Sequence, residues 1–238
     1  DYAILPTFKL AQEASKEVKV VLTGEGGDEL FGGYGRYRSG IRKFFKKEFL
    51  NKGGFNKFRD LENYLTGWNK YLKLEKEKLN SLNLNKLQKL QYFDFEEWLT
   101  NDLLIKLDRC LMAFGLEGRT PLIDILLFKK FFKIDDNLKI KNGYGKYFIR
   151  KFLEKKIQGY NAFEKKEGFT VPINYWIPKQ YKFLSQTLPK MKCLLELFPA
   201  QKIKDLCISL RSNNKAVIPV WRILFFSMWH ISNFENKK

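Results

Sequence analysis

A short β-branched run followed by a loop dense in glycine and acid is the feature that most constrains the fold. Residues 18–22 read VKVVL, which is typical of a buried strand in a parallel sheet. Residues 24–33, GEGGDELFGG, follow almost directly and form a loop by composition. A strand that leads into a glycine-rich turn and a helix start places backbone N–H groups where they can hold an anion. The sequence therefore predicts a ligand-binding loop at the end of a parallel strand.

Three acidic residues, Glu25, Asp28 and Glu29, lie in this loop. Neither common phosphate loop fits, because no Gly-Lys-Ser/Thr follows and Glu29 takes the last glycine position of G-x-G-x-x-G. Carboxylates repel a bare phosphate, but they can hold a Mg²⁺ ion that in turn binds phosphate oxygens, and Glu25 could also handle protons. The structural alternative is equally open: Asp28 caps a helix that begins near Glu29, and the glycines only permit a tight turn.

Most of the remaining chain is helical by its periodicity. Amphipathic patterns predict helices in 6–17, 42–50 and 65–74, within 94–124 where Pro121 ends the helix, after the Asn-Gly turn at 142–143, after Pro172, and from about Leu194 onward. Only one strand is evident, and a lone parallel strand cannot form a sheet. We therefore expect its partner strands upstream of Asp1.

The net charge narrows the class of partner. The chain carries 44 Lys and Arg against 26 Asp and Glu, a net charge of +18. Most of the basic residues are Lys, whereas surfaces that read phosphates and bases usually use Arg, so a nucleic-acid partner is not expected.

The longest apolar stretch, 216–231, is interrupted by Pro219 and Arg222 and is too short to span a bilayer.

The cysteines and the single histidine give no evident catalytic or metal pattern. Cys110, Cys193 and Cys207 lie far apart without a C-x-x-C pair, which suits a reducing compartment and neither a disulfide framework nor a zinc site. The one histidine, His230, cannot build a triad or a metal cluster alone, and we expect a structural role for it.

The opening segment, VVLTGEGGDELFGGY, resembles the S-G-[DE]-G-[GS]-D-E-x-F-G-G-Y segment in the synthetase domain of glutamine-dependent asparagine synthetases. Three further segments are similar to family motifs in the same order: LIKLDRCLMAFGLEGRTPLID at 104–124, GKYFIRKFL at 145–153 and KKEGFTVPINYW at 165–176. Residues 41–91 show little resemblance.

The resemblance implies an α/β fold of the ATP-pyrophosphatase (adenine nucleotide alpha hydrolase-like) kind. Residues 1–238 would be the C-terminal portion of a synthetase domain, mostly α-helical with one short buried parallel strand. The upstream sheet, the S-G-G-x-D-S pyrophosphate loop and the glutaminase domain are not in this sequence, so we expect the fragment alone to be inactive.

The resemblance implies a cytoplasmic enzyme with carbon–nitrogen ligase activity. The full-length protein would be a homodimer. It would adenylate aspartate with ATP and Mg²⁺, and ammonia from glutamine would then displace AMP. A related amidotransferase that acts on a sugar acid or another carboxylate is an alternative. A non-catalytic basic binding module is an alternative from another class.

The resemblance also assigns roles to residues. Thr23 and Gly24 match family positions that contact ATP. Glu25 matches an acidic residue that takes part in forming the acyl-adenylate and in its reaction with ammonia. Asp28 falls on the acid associated with Mg²⁺ and pyrophosphate. Lys166 falls on a lysine near the phosphates, with a surface lysine as its alternative.

Other charged residues have structural interpretations. We expect Arg119 and Asp124 to form a buried, salt-bridged corner. Lys146 and Arg150 share a helical face and could reach a phosphate, although a solvated face is at least as well supported.

Overall fold

The computed structural model describes residues 2–40, 66–164 and 171–235. The chain divides into two compact units. The first unit consists mainly of residues 3–50 and 76–170, and the second mainly of 51–75 and 171–238. No helix in these described ranges is long and apolar enough to cross a membrane.

The first unit is mostly helical, and α4 belongs partly to each unit. In chain order its elements are α1 (Ile4–Ala14), β1 (Val20–Leu22), α2 (Gly27–Phe31), α3 (Gly35–Gly40), α4 (Thr66–Ser81), α5 (Lys86–Phe93), a π-helical segment (Asp94–Leu103), α6 (Leu104–Met112), β2 (Glu117–Arg119), a 3₁₀ turn (Pro121–Ile123), α7 (Ile125–Phe131), α8 (Asp136–Lys139) and α9 (Tyr147–Lys156).

The second unit is helical throughout its described part. Its elements are α10 (Ile173–Lys179), α11 (Tyr181–Thr187), a 3₁₀ turn (Leu188–Lys190), α12 (Lys192–Leu195), α13 (Ala200–Ser209), a 3₁₀ turn (Asn214–Ala216), α14 (Val217–His230) and a π-helical turn (Ile231–Glu235). Its core is one apolar cluster in which Leu188, Leu194, Cys207 and Val220 are fully buried. The predicted helical C-terminus is confirmed.

Local sequence explains several helix boundaries. Asn85 accepts a hydrogen bond from the N–H of Gln88, whose side chain accepts one from the N–H of Asn85, so a capping box starts α5. Asp124 caps α7 by accepting from the N–H groups of Leu126 and Leu127. Beyond α6, Gly115 turns the chain at φ +63°. The helix predicted within 94–124 is thus real, but it ends at Met112, well before Pro121.

The sheet differs from the prediction of one buried strand. β1 pairs in parallel with β2, and Val21 lies opposite Gly118. Sequence did not reveal β2, because its three residues, EGR, carry neither apolar alternation nor β-branched side chains.

The prediction that β1 is buried is wrong. Leu22 is 76% exposed and Val20 is 40% exposed. Only Val21 packs into a cluster, with Ala11 of α1 and Leu107 and Leu111 of α6. The described elements cover β1 at Val21, so the apolar run is only partly buried.

The remaining helix predictions stand as follows. The helices predicted in 6–17 and 65–74 are confirmed, although α1 already begins at Ile4. The Asn142–Gly143 turn is confirmed, with positive φ at both residues, and α9 follows it. The helix predicted in 42–50 lies outside the described residues.

Candidate functional site

The loop after β1 lies against the loop after β2. The N–H of Thr23 donates to the carbonyl of Arg119 at 2.8 Å, which extends the ladder past the strand ends. Gly26 adopts φ +84°, and a Cβ there would lie 2.8 Å from Cγ1 of Ile123. Both the conformation and the space therefore require glycine. The carboxyl ends of parallel strands are where α/β proteins bind ligands.

The segment predicted as a loop contains a short helix. α2 begins at Gly27, with Gly26 at its N-cap and no capping side chain. Asp28 therefore lies inside the first turn and does not cap it, so the structural alternative for this residue is wrong. Its carboxylate is directed instead to a residue from another part of the chain.

That residue is Lys146. Its Nζ atom lies 2.9 Å from Oδ1 of Asp28, and the Lys146 and Asp28 side chains are 24% and 18% exposed. Lys146 has φ +55°, and its N–H donates to the carbonyl of Phe31 at 3.0 Å. The backbone that enters α9 is thereby fixed against the end of α2. The solvated-face alternative for Lys146 is wrong.

Two glycines permit this close approach. A Cβ on Gly33 would lie 1.8 Å from Oδ1 of Asp28 and 2.5 Å from Cε of Lys146. A Cβ on Gly145 would lie 2.3 Å from the carbonyl oxygen of Gly32. Any side chain at either position would push Lys146 away from Asp28.

Glu29 has a structural role. It is buried at 1% exposure and accepts a hydrogen bond of 2.6 Å from the Tyr34 hydroxyl. Burial raises the pKa of the Glu29 carboxyl. The amide of Gln91 donates to the carbonyls of Glu29 and Leu30, at 2.5 and 2.8 Å. Glu29 and Gln91 thus hold α2 in place behind the acidic loop.

A second buried acid anchors α3. Asp94 accepts hydrogen bonds from Arg36 and from the Tyr37 hydroxyl, and Nη2 of Arg36 lies 2.8 Å from Oδ2 of Asp94. Burial raises the pKa of the Asp94 carboxyl, and Arg36 opposes that rise. This triad positions the helix that leaves the glycine-rich segment.

The predicted ligand-binding residues lie in a single turn of chain. The Oγ1 atom of Thr23 is buried and accepts or donates no hydrogen bond within the described part of the chain. Gly24 is exposed, with no atom of the described residues within 4 Å of where its Cβ would lie, and Glu25 beside it is half-buried. Asp28 follows in the first turn of α2. Lys166 lies outside the described residues.

Three residues assigned by sequence to other roles are corrected or refined. Arg119 does not form a buried corner with Asp124: it is exposed and pairs with Glu117 at 2.8 Å, while Asp124 caps α7. Arg150 does not form a solvated face either. It donates to backbone carbonyls of Gly145 and Ala162, which fixes the turn before α9.

Sequence reasoning named Lys146 as a lysine that could reach a phosphate, but it did not predict the ion pair with Asp28. No local pattern predicts its pairing with Asp28, because the contact joins segments far apart in the chain. The site therefore combines an acidic turn, a buried hydroxyl and one cation held by a distant helix start.

Comparisons with known proteins identify relatives of the chain. The sequence model of the asparagine synthase family matches residues 1–231. Asparagine synthetase [glutamine-hydrolyzing] 1 of Bacillus subtilis is 30% identical over 100% of this chain and 44% of its own length. A putative asparagine synthetase [glutamine-hydrolyzing] of Mycobacterium bovis is 26% identical over 99% of this chain and 43% of its own length. A putative asparagine synthetase [glutamine-hydrolyzing] 2 of Methanocaldococcus jannaschii is 51% identical over 19% of this chain and 9% of its own length. The chain thus spans less than half the length of these relatives. No solved structure matches it with significance.

Proposed function

Because the chain belongs to the asparagine synthase family, we propose that the protein carrying it makes asparagine from aspartate, ATP and ammonia. A carboxylate oxygen of aspartate attacks the α-phosphorus of ATP, pyrophosphate leaves, and β-aspartyl-AMP is formed. Ammonia then attacks the acyl carbon, loses a proton, and AMP leaves. We propose that glutamine hydrolysis supplies the ammonia, since the relatives are named as glutamine-hydrolysing.

The observation that carries the proposal is the arrangement at the ends of the two parallel strands. Thr23, Glu25 and Asp28 lie in one turn after β1, and the loop after β2 packs against that turn. Lys146 adds a cation at 2.9 Å from Asp28. Hydroxyl, carboxylate and ammonium groups at this position are the donors and acceptors that a nucleotide and a metal require.

We further propose that the fold is that of the ATP-pyrophosphatases and that further strands extend the sheet. Support comes from β1 itself, since Leu22 is 76% exposed although the run that contains it is apolar. A strand added beside β1, with the elements that cover it, would bury this side chain. This proposal assigns residues 1–238 to the C-terminal portion of the synthetase domain.

The proposed nucleotide contacts are Thr23 and Gly24. A buried hydroxyl without a hydrogen-bond partner costs roughly 1–3 kcal/mol. A phosphate oxygen near Thr23 Oγ1 would accept a hydrogen bond from the hydroxyl and recover that free energy. Gly24 leaves open space where a side chain would otherwise stand, so the ligand can approach the backbone closely.

The residues present fit a magnesium ion. Mg²⁺ in nucleotide sites is held by one or two carboxylates together with phosphate oxygens, and the turn offers Asp28, with Glu25 close in sequence. The ion would supply charge neutralisation for the pyrophosphate that leaves. Lys146 keeps the Asp28 carboxylate oriented and balances its charge, while Glu25 adds a second carboxylate to the turn.

Glu25 and Lys166 are the proposed catalytic residues. Glu25 would accept the proton that ammonia loses when it attacks the acyl-adenylate. Lys166 would neutralise charge that develops on the leaving phosphates. We also propose a homodimeric, cytoplasmic enzyme without a nucleic-acid partner.

Isotope exchange tests the proposal on the complete protein. Labelled pyrophosphate should enter ATP only when aspartate is present, and AMP and asparagine should form when glutamine or ammonia is added. Exchange that requires a different carboxylate, such as a sugar acid, would reassign the substrate. ADP as product, or no exchange with any carboxylate, would contradict the proposed chemistry.

A further inference from the structure

We propose that Cys193, His230 and Glu235 of the second unit form a zinc site. One ligand atom from each residue lies within 4.8 Å of the other two. Cys193 belongs to α12, His230 is the last residue of α14, and Glu235 lies in the π-helical turn that follows. The site belongs to the second unit, and it does not depend on the proposed asparagine synthesis.

One ring nitrogen of His230 lacks a hydrogen-bond partner among the described residues. Nδ1 of His230 is buried and makes no hydrogen bond within the described part of the chain. Oε1 of Glu235 lies 3.3 Å from it, close enough for an ion pair but without hydrogen-bond geometry. A buried polar atom of this kind calls for an explanation, and a bound ion is one of the common ones. A cation between the nitrogen and the carboxylate would satisfy both groups.

The neighbouring groups hold the imidazole in position. The rings of Phe226 and Phe234 lie 6.0 and 5.1 Å from the His230 ring, measured between centroids. Cys193 is 97% buried, since only 3% of its surface is exposed, and its thiol is not part of a disulfide. Two of the three ligands are therefore fixed before any metal binds, which lowers the entropy cost of binding.

The ligand set selects the metal. Thiolate, imidazole and carboxylate together suit Zn²⁺, whereas Mg²⁺ takes oxygen ligands alone. Tetrahedral bonds of the usual zinc lengths separate ligand atoms by roughly 3.3–3.8 Å. The three ligand atoms lie within 4.8 Å of one another, so a pair at that limit must approach by roughly 1 Å at most. Nδ1 of His230 and Oε1 of Glu235, at 3.3 Å, already have a suitable separation. Water completes the four ligands.

Binding would proceed with a defined proton balance. The Cys193 thiol loses one proton to solvent, the thiolate binds Zn²⁺, and bound water molecules leave the ion. His230 binds through a ring nitrogen, and Glu235 binds through a carboxylate oxygen. The resulting Zn²⁺ site, with one thiolate and one carboxylate, is neutral. The site would tie the C-terminal turn to α12, so its expected role is structural.

Sequence alone argued against this site, because it has no C-x-x-C pair and a single histidine. The helical packing of the second unit nevertheless places three candidate ligands close together. α12 and α14 are in contact, and the turn after α14 brings Glu235 back beside His230. The three ligands come from two separated segments, which no spacing rule detects.

Zinc titration of untagged, reduced protein in competition with a chromophoric chelator tests the proposal. We expect one Zn²⁺ per chain and release of about one proton near pH 8. Replacement by Co²⁺ should give the near-ultraviolet charge-transfer band of a thiolate–cobalt bond. Cys193→Ala should remove the band and weaken zinc binding at least about 100-fold, the upper scale for lost supporting groups around zinc.

Matched variants separate the site from adventitious binding. Cys207→Ala removes another buried cysteine of the same core and should retain zinc and the cobalt band. Glu235→Gln changes a surface group, so it should fold normally and still lose affinity, which covers the case in which Cys193→Ala is unstable. If zinc binding is absent, or is the same in Glu235→Gln and Cys207→Ala, the site does not exist.

Discussion

Nζ of Lys146 lies 2.9 Å from Oδ1 of Asp28, and this ion pair joins the start of α9 to the first turn of α2. Both side chains are mostly shielded from solvent, so the attraction is screened less than that of a surface pair. The pair also depends on the backbone, because Lys146 is held in a left-handed conformation by its N–H bond to Phe31. The Asp28 carboxylate therefore both stabilises the fold and belongs to the proposed metal site.

Lys146→Met should cost both stability and function. Removal of the ammonium leaves a partly buried carboxylate without its cation, with an expected loss of about 1–3 kcal/mol in the free energy of unfolding. In the complete enzyme, kcat/KM for ATP should also fall. Urea unfolding and ATP kinetics on the same samples measure both effects.

Lys155→Met is the matched control for that variant. It removes an exposed lysine from the same helix, α9, and should change neither quantity. Equal effects of the two substitutions would show that net charge, and not the pair with Asp28, is responsible.

Gly33→Ala should break the same pair by steric means. Its Cβ would lie 1.8 Å from Oδ1 of Asp28, so the carboxylate must move, at an expected cost of about 1–3 kcal/mol. Gly67→Ala in α4 is the control, because no described residue lies within 4 Å of its Cβ position. If the free energy of unfolding is the same in Gly33→Ala and in the wild type, the Asp28 side chain has another position of equal free energy.

Sequence predicted those parts of the fold that depend on local pattern. Periodicity gave α1, α4 and α9, and the Asn142–Gly143 pair gave the turn before α9. The strand–loop motif also identified the turn that contains Thr23 to Asp28, and the family comparison agrees with the resemblance. The catalytic and ligand roles of these residues stay predictions.

The parts that sequence missed depend on contacts between distant segments. β2 is a strand only because its backbone pairs with β1, since EGR has no strand pattern of its own. The Asp28–Lys146 pair and the cluster of Cys193, His230 and Glu235 arise the same way. The prediction that Arg119 is buried was wrong for a related reason, because the burial of a charged residue depends on the elements that cover it.

The buried Lys139 should make stability depend on alkaline pH. Its Nζ donates to Gln91 and to the carbonyl of Phe132, at 2.9 and 2.6 Å, and burial lowers its pKa from 10.5 to about 8. Between these two values the unfolded chain holds a proton that the folded chain has released. The free energy of unfolding should therefore rise from pH 8 toward pH 10.5, by a few kcal/mol at most, since one pKa unit is about 1.4 kcal/mol.

Lys139→Met should remove this contribution. Denaturant unfolding at several pH values measures the slope in the wild type and in the variant. Lys133→Met, which removes a nearby exposed lysine, should keep the wild-type slope. A slope that survives in Lys139→Met would assign the pH dependence to other groups.

The last prediction separates the two acids of the glycine-rich turn. Each can be changed to an amide of similar size, so the shape of the turn should be retained in the complete enzyme. Glu25→Gln removes a base and should lower asparagine formation by roughly a hundredfold or more at saturating Mg²⁺, the usual scale for lost acid–base assistance. Asp28→Asn replaces a carboxylate by a poorer ligand for a hard cation and should shift the Mg²⁺ midpoint to higher concentration. It also weakens the pair with Lys146, so its melting temperature should fall more than that of Glu25→Gln. Turnover is measured as a function of Mg²⁺ concentration, and melting temperature is measured on the same samples. The plateau of turnover reports the effect of Glu25→Gln, and the Mg²⁺ midpoint reports the effect of Asp28→Asn. Full turnover per folded molecule in Glu25→Gln would remove its catalytic role, and an unchanged midpoint in Asp28→Asn would remove Asp28 from the metal site.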